Sequence, residues 1–169
     1  AEVPFMRPAG LADDFAGTTP VVAHAVHWHQ DHGHELDAVC CLYATAPFAK
    51  PTDIREGLEI LMQVAADRFV FTATAYESPI QRALRLDLAS GKTHMWQPEH
   101  FHKRSQDLEP AYHDAGQFYW GRPQAWLQSE NLFEGSQPLL LPRWRVQDID
   151  TADDWVRAEL LYEAQCRLS

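Results

Sequence analysis

Two aspartates one residue apart, Asp148 and Asp150 in RVQDIDTADDW, flank a single apolar residue just before an expected helix start. In extended backbone, residues two apart point the same way, so the two carboxylates share a face and Ile149 turns inward. Carboxylates so placed repel each other unless a cation or a cluster of donors lies between them. The plainer reading is a helix start, with Asp150 or Thr151 as the N-cap and Asp148 a solvated neighbour.

Other stretches carry chemistry of their own. The histidines His24, His27, His29, His32 and His34 are of a type that ligates zinc, and the first two lie three apart on one expected helix. The remainder spread around that helix or past its end, and no second Cys or His cluster completes a ligand set. A pH-sensitive helix surface accounts for them. ATAPF, residues 44–48, follows an apolar run. Ligands of open α/β sheets bind beyond the carboxyl ends of strands, which would put Tyr43 and Thr45 at a crevice. A simple strand-to-helix loop turning at Pro47 serves equally well. In SQDLEPAYHDAGQFYWG, residues 105–121, Gln106 and Asp107 can hydrogen-bond sugar hydroxyls, while Phe118 and Trp120 fit a core strand. Arg82, Arg85, Lys103 and Arg104 are the nearest cations, and arginine can clamp a carboxylate through two parallel hydrogen bonds.

The elements that must position these residues alternate in type. A helix is predicted over 18–30, capped by Thr18 or Thr19 with Pro20 in its first turn. An apolar strand is predicted over 37–43. A second helix over 53–66 shows an apolar stripe of Ile54, Leu58, Leu61 and Met62, and a strand follows over 68–75. This alternation predicts an α/β fold with a mostly parallel sheet and helices on both faces. Residues 80–97 then read as two short strands around Ala-Ser-Gly-Lys, an excursion spanning 78–110 within one domain of residues 1–169. A polar stretch, a strand at 116–120, a short helix at 122–128, the strand QPLLLP and a helix from about 152 to 166 complete the chain.

Composition bounds the function. The chain has 169 residues, 46% hydrophobic and 22% charged, as in a soluble globular domain. Its 14 basic and 24 acidic residues leave a net charge of −10, which argues against nucleic acid as a general partner. No apolar run has the length of a membrane span. Cys40, Cys41 and Cys166 are odd in number, and two adjacent strand residues face opposite ways, so free thiols in the cytoplasm are expected.

The stretches AEVPFMRPAGLADD, DAVCCLYATAPF, SPIQRALRL, RSQDLEPAYHDAGQFYWG and RVQDIDTADDW, in this order, resemble the sialic-acid-type cytidylyltransferases, above all the pseudaminic acid branch. The resemblance covers essentially the whole chain. It implies a Rossmann-like sheet with a protruding hairpin that makes a homodimer and reaches the partner's active site. The implied reaction is attack of a sugar-acid hydroxyl on the α-phosphorus of CTP, giving a CMP-sugar and pyrophosphate. By the same resemblance, Asp148 and Asp150 would hold Mg²⁺, a hard cation suited to carboxylate, phosphate and water oxygens. Arg7 and Thr18 would contact the cytidine, Tyr43 and Thr45 the sugar, Gln106 and Asp107 the polar wall near the sugar, and Arg82 the sugar carboxylate. Tyr43 stands where the sialate enzymes commonly carry glutamine.

The family's strand and Gly-, Arg- and Lys-rich phosphate loop have no counterpart in residues 1–169. The resemblance is expected to begin about 60 residues in, or roughly two β-α units, and the chain alone is expected to be inactive. The same chemistry on N-acetylneuraminic or legionaminic acid is the near alternative. A non-catalytic dimeric sugar-binding fragment is the alternative of another class.

Overall fold

The computed structural model describes residues 2–13 and 15–168. The first helix, α1 (Thr18–Asp31), begins at Gly17, which is extended and offers no side-chain cap. Thr18 is already helical, so neither threonine caps. The Thr18 hydroxyl is instead bonded to the phenol of Tyr43. Val22 and Val26, one turn apart, are the buried face of α1.

Strand β1 (Val39–Leu42) leads through the ATAPF loop into α2 (Pro51–Leu61), whose proline occupies the first turn, where a missing N–H is harmless. The helix is shorter than its sequence pattern predicts and turned about its axis. Its buried positions are Asp53, Gly57 and Leu61, whereas Met62 is exposed. Two local facts explain the rotation. Asp53 forms a buried ion pair with Arg145, and Gly57 lies so close to the sheet that a Cβ there would stand 2.9 Å from the Phe118 and Trp120 rings.

Strands β2 (Phe69–Ala75), β5 (Tyr112–Gly121) and β6 (Gln137–Leu140) join β1 in one sheet of order β1-β5-β2-β6. The ladders correct the expectation of a mostly parallel sheet. Only β2–β6 is parallel, while β1–β5 and β2–β5 are antiparallel. The fold is mixed α/β. The chain leaves β2 for the excursion and returns beside it in β5, and neighbouring antiparallel strands need no helical crossover. β5 is also longer than predicted, taking Tyr112–Asp114 from the stretch expected to be polar loop.

Alternation along β5 divides the core between two faces. Tyr119 packs with Phe69, Phe71 and Ala73, against Val22 and Val26 of α1 and Trp126 of α3 (Pro123–Gln128). Phe118 packs with Ala115 and Leu139, against Ile54 and Ile60 of α2. Helices thus cover both faces, as predicted. The excursion is a separate two-stranded antiparallel hairpin, β3 (Leu84–Asp87) and β4 (Lys92–Met95). It leaves Leu84, Leu86, Leu88 and Trp96 exposed. The last helix, α4 (Ala152–Leu168), follows the Asp148–Asp150 segment. Among the described residues, no helix is long and apolar enough to cross a membrane.

Candidate active site

The segment bearing Asp148 and Asp150 is fastened on both sides. Upstream, the Arg145 guanidinium is buried against the Asp53 carboxylate of α2. The buried Gln117 amide donates to the Arg145 carbonyl at 2.6 Å. Downstream, Thr151 and Asp154 form a capping box. The Asp154 N–H donates to the Thr151 hydroxyl oxygen at 3.2 Å, and the Thr151 N–H donates to the Asp154 carboxylate at 2.9 Å. Between them, the Gln147 amide donates to the Asp148 carbonyl at 2.7 Å and to Asp154 at 3.0 Å. Chiefly because of the Thr151 hydroxyl, the Asp154 carboxyl titrates below its ordinary range.

Thr151 is therefore the cap, and Asp150 is released from that duty. The Asp150 N–H donates to Asp154 at 3.3 Å, and among the described residues no donor reaches its carboxylate. Asp148 accepts from the Thr45 hydroxyl at 3.3 Å and from the Ile149 N–H at 3.0 Å. Both acids are exposed, with Ile149 half-buried between them, which is the alternation expected of an extended segment.

Gly116 explains how β5 approaches Asp148. Between Phe71↔Tyr119 and Ala73↔Asp114, five residue steps on β5 face two on β2, so β5 bulges outward. Within the bulge Gly116 has φ +61°, and a Cβ there would lie 3.2 Å from Asp148 Oδ2. The Gly116 N–H donates to Asp114 at 3.0 Å, and the other oxygen of Asp114 accepts from the Tyr119 hydroxyl. Burial, followed by the bond to Asp114, raises the Tyr119 phenol far above its usual value, so it remains a donor. The Tyr119 ring lies 5.2 Å from that of Tyr43, whose hydroxyl meets Thr18. A continuous set of contacts runs from the start of α1 to Asp148.

A cleft of about 730 Å³ opens beside Asp148, bounded also by Asp114, His113, Arg143 and Arg157. Among the described residues, no three His, Cys, Asp or Glu side chains converge as a metal cage. Two exposed carboxylates suit Mg²⁺, which commonly takes one or two protein oxygens and fills its shell with phosphate and water. The donor set therefore fits that ion.

The structure gathers some of the sequence-predicted residues and separates others. Thr45, Tyr43 and Thr18 lie on the contacts just described. Arg7 is exposed. Arg82 donates to the carbonyls of Phe101 at 3.3 Å and Lys103 at 2.5 Å, and to the Ser105 hydroxyl at 3.3 Å. Asp107 is held by Arg104 through two bonds of 2.7 and 3.0 Å, and Gln106 lines a separate cleft of about 450 Å³ at the root of the excursion. These last three brace or border the excursion loop. His32 stacks on Trp28 at 3.9 Å, and the Nδ1 atoms of His29 and His34 are 2.9 Å apart.

Sequence reasoning missed Asp114, Tyr119, Gln147 and the Asp53–Arg145 pair. An aspartate two residues before a glycine is the pattern of a side chain closing its own turn, and it could have marked Asp114.

No family model matches the chain. It is 42% identical over 164 residues to the pseudaminic acid cytidylyltransferase of Campylobacter jejuni, covering 96% of this chain and 70% of that protein. It is 32% identical over 145 residues to a Helicobacter pylori protein named pseudaminic acid cytidylyltransferase and UDP-2,4-diacetamido-2,4,6-trideoxy-beta-L-altropyranose hydrolase, covering 85% of this chain and 27% of that one. It is also 28% identical over 171 residues to the CMP-N,N'-diacetyllegionaminic acid synthase of Legionella pneumophila, covering 96% and 70%.

Proposed function

This chain belongs to the pseudaminic acid cytidylyltransferase family, and from that premise we propose that it transfers CMP from CTP to pseudaminic acid, a nine-carbon sugar acid. The observation that carries the reading is the near-complete coverage of the chain by the Campylobacter enzyme. In this reaction the sugar hydroxyl oxygen bonds to the α-phosphorus. The bond from that phosphorus to the bridging oxygen breaks, its electrons leave with pyrophosphate, and the hydroxyl proton is lost. Such a transfer depends on positioning and electrostatics.

Asp148 and Asp150 would hold Mg²⁺, which when bound offsets charge on the phosphate oxygens. The chain's own part is to aim those carboxylates. Thr45 orients one oxygen of Asp148, Gly116 leaves room for the other, and Gln147 with the Thr151–Asp154 box fixes the backbone between them. Tyr43 and Thr45 serve the sugar, with Gln106 and Asp107 at the polar wall, while Arg7 and Thr18 serve the cytidine. The sheet is read as Rossmann-like. The apolar side chains exposed on the β3–β4 hairpin support homodimerisation through it. A cytoplasmic setting agrees with the supply of CTP and with unpaired Cys40 and Cys41. Their thiols are raised by burial, that of Cys40 to about 12 with Cys41 adding to it.

The similarity to the Legionella synthase keeps a legionaminic acid substrate as a second reading. Pyrophosphate release with CTP, Mg²⁺ and each of pseudaminic, legionaminic and N-acetylneuraminic acids separates them. It is measured on the chain joined to the family's phosphate-loop segment, which is the wild type of every activity assay below. The 169 residues alone are expected to be inactive. Fastest turnover on pseudaminic acid is expected, and none on any of the three overturns the enzyme reading in favour of a binding protein. Asp150→Asn should abolish turnover; unchanged activity removes the metal assignment.

A further inference from the structure

Among the described residues lining the cleft beside Asp148, one charged side chain has no hydrogen-bond or ion-pair partner. Arg143 faces Glu77 at 3.8 Å. Asp114 is occupied by Tyr119 and Gly116, Asp148 by Thr45, and His113 Nδ1 lies 2.8 Å from the Asp114 carbonyl. Arg157, in the second turn of α4, lines the same cleft. Among the described residues its guanidinium makes no hydrogen bond or ion pair. Arg122, which lines a different cleft without an ion pair, at least donates to the Val64 carbonyl at 2.9 Å. Arg82, the cation expected to bind the sugar acid, already directs three of its five donors at two carbonyls and a hydroxyl.

We propose that Arg157 binds the carboxylate of the sugar acid, an inference that rests on the transfer reaction proposed above. In a 2-keto sugar acid, the anomeric carbon carries both the reacting hydroxyl and the carboxylate. The carboxylate seat must therefore lie within one small molecule's reach of the metal-binding acids. Arg157 meets that requirement because it shares a cleft with Asp148. The planar guanidinium matches a carboxylate through two parallel bonds, which an ammonium cannot reproduce. Tyr76, packed edge-on to His113 at 4.9 Å, supplies an apolar wall for the ring in the same cleft.

The test compares wild type with Arg157→Ala, Arg157→Lys and Arg82→Ala. Loss of charge-assisted bonds should raise KM for the sugar acid roughly 10- to 100-fold in Arg157→Ala while KM for CTP stays put, with Arg157→Lys intermediate. The C1-carboxamide of the sugar should bind wild type weakly, and Arg157→Ala should no longer distinguish it from the acid. A wild-type sugar KM in Arg157→Ala, or an equal rise for CTP, overturns the assignment, as does a rise confined to Arg82→Ala. Calorimetric binding of the sugar acid alone separates this inference from the reaction it rests on. If wild type binds the acid without turnover, the transfer reading falls while a loss of binding in Arg157→Ala still supports the seat. If wild type does not bind the acid, both fall.

Discussion

Gly116→Ala tests whether the β5 bulge exists to admit Asp148. Two costs follow from the geometry. At φ +61° an alanine incurs about 1–2 kcal/mol of backbone strain, which in a domain of this size lowers Tm by roughly 2–4 °C per kcal/mol. The new methyl would also stand 3.2 Å from Asp148 Oδ2 and 3.4 Å from its Cγ, so the carboxylate must retreat by a few tenths of an ångström. Misplacement by a full ångström can cost about 100-fold in rate. Scaled to that smaller displacement, kcat should fall roughly 3- to 10-fold, with a higher Mg²⁺ requirement. Gly33→Ala is the control, since Gly33 has φ +76° but no atom within 4 Å of a Cβ. It should show the same strain in Tm with kcat and Mg²⁺ dependence unchanged. The assay is pyrophosphate release across a Mg²⁺ titration, alongside thermal melts of all three proteins. If Gly116→Ala keeps wild-type kcat and Mg²⁺ dependence, or if both variants lose activity alike, the reasoning about Asp148 is refuted.

Removing one partner of the buried pair, as in Arg145→Met, should destabilise the fold by about 3–5 kcal/mol in denaturant titrations, and adding Asp53→Leu should recover most of that loss. Gly57→Ala should gain up to about 1 kcal/mol of helix propensity yet be destabilised overall, because the methyl overpacks Phe118 and Trp120 at a cost of about 1–3 kcal/mol; a stabilised variant would mean that α2 moves away freely. Thr151→Ala should cost about 1 kcal/mol of stability. It should also flatten an acid-side loss. The Asp154 carboxyl is held below its ordinary 3.8 in the folded chain, so its contribution is complete above that value and fades as pH falls through the lower folded one. An unchanged acid limb in Thr151→Ala would show that the hydroxyl does not hold Asp154.

The parts of the fold visible in the sequence were those governed by periodicity. The extent of α1, the apolar run of β2 and the hairpin around Ser90 and Gly91 all follow local rules, and each lies where its pattern predicts. What was not visible depends on partners distant in the chain. The rotation of α2 is decided by Arg145, 92 residues beyond Asp53, and a buried aspartate reads as surface until its cation is known. The direction of β5 follows from how the excursion returns, which no strand propensity encodes. At the site, Asp148 and Asp150 are exposed on either side of a half-buried Ile149, and Thr45 donates to Asp148. Asp114 and Tyr119 look like ordinary strand residues until the bulge brings one onto the other. Arg157 is a plain exposed residue of α4 until the cleft beside it is seen.

The slack in β5 separates two jobs that one strand would otherwise have to share. Because five steps on β5 are absorbed against two on β2, pairing at Tyr112–Asp114 is decoupled from pairing at Tyr119–Gly121. A rigid strand of the same length would turn over every side chain of both cores if it slipped by one residue. Here the slack falls at Ala115–Gln117, outside the β2–β5 ladder, so neither paired end has to shift to make room for Asp148. His113, which lines the cleft, can thus be replaced while Phe118, Tyr119 and Trp120 keep to their own sides of the sheet. Substrate preference can drift in such a protein without the core having to be solved again.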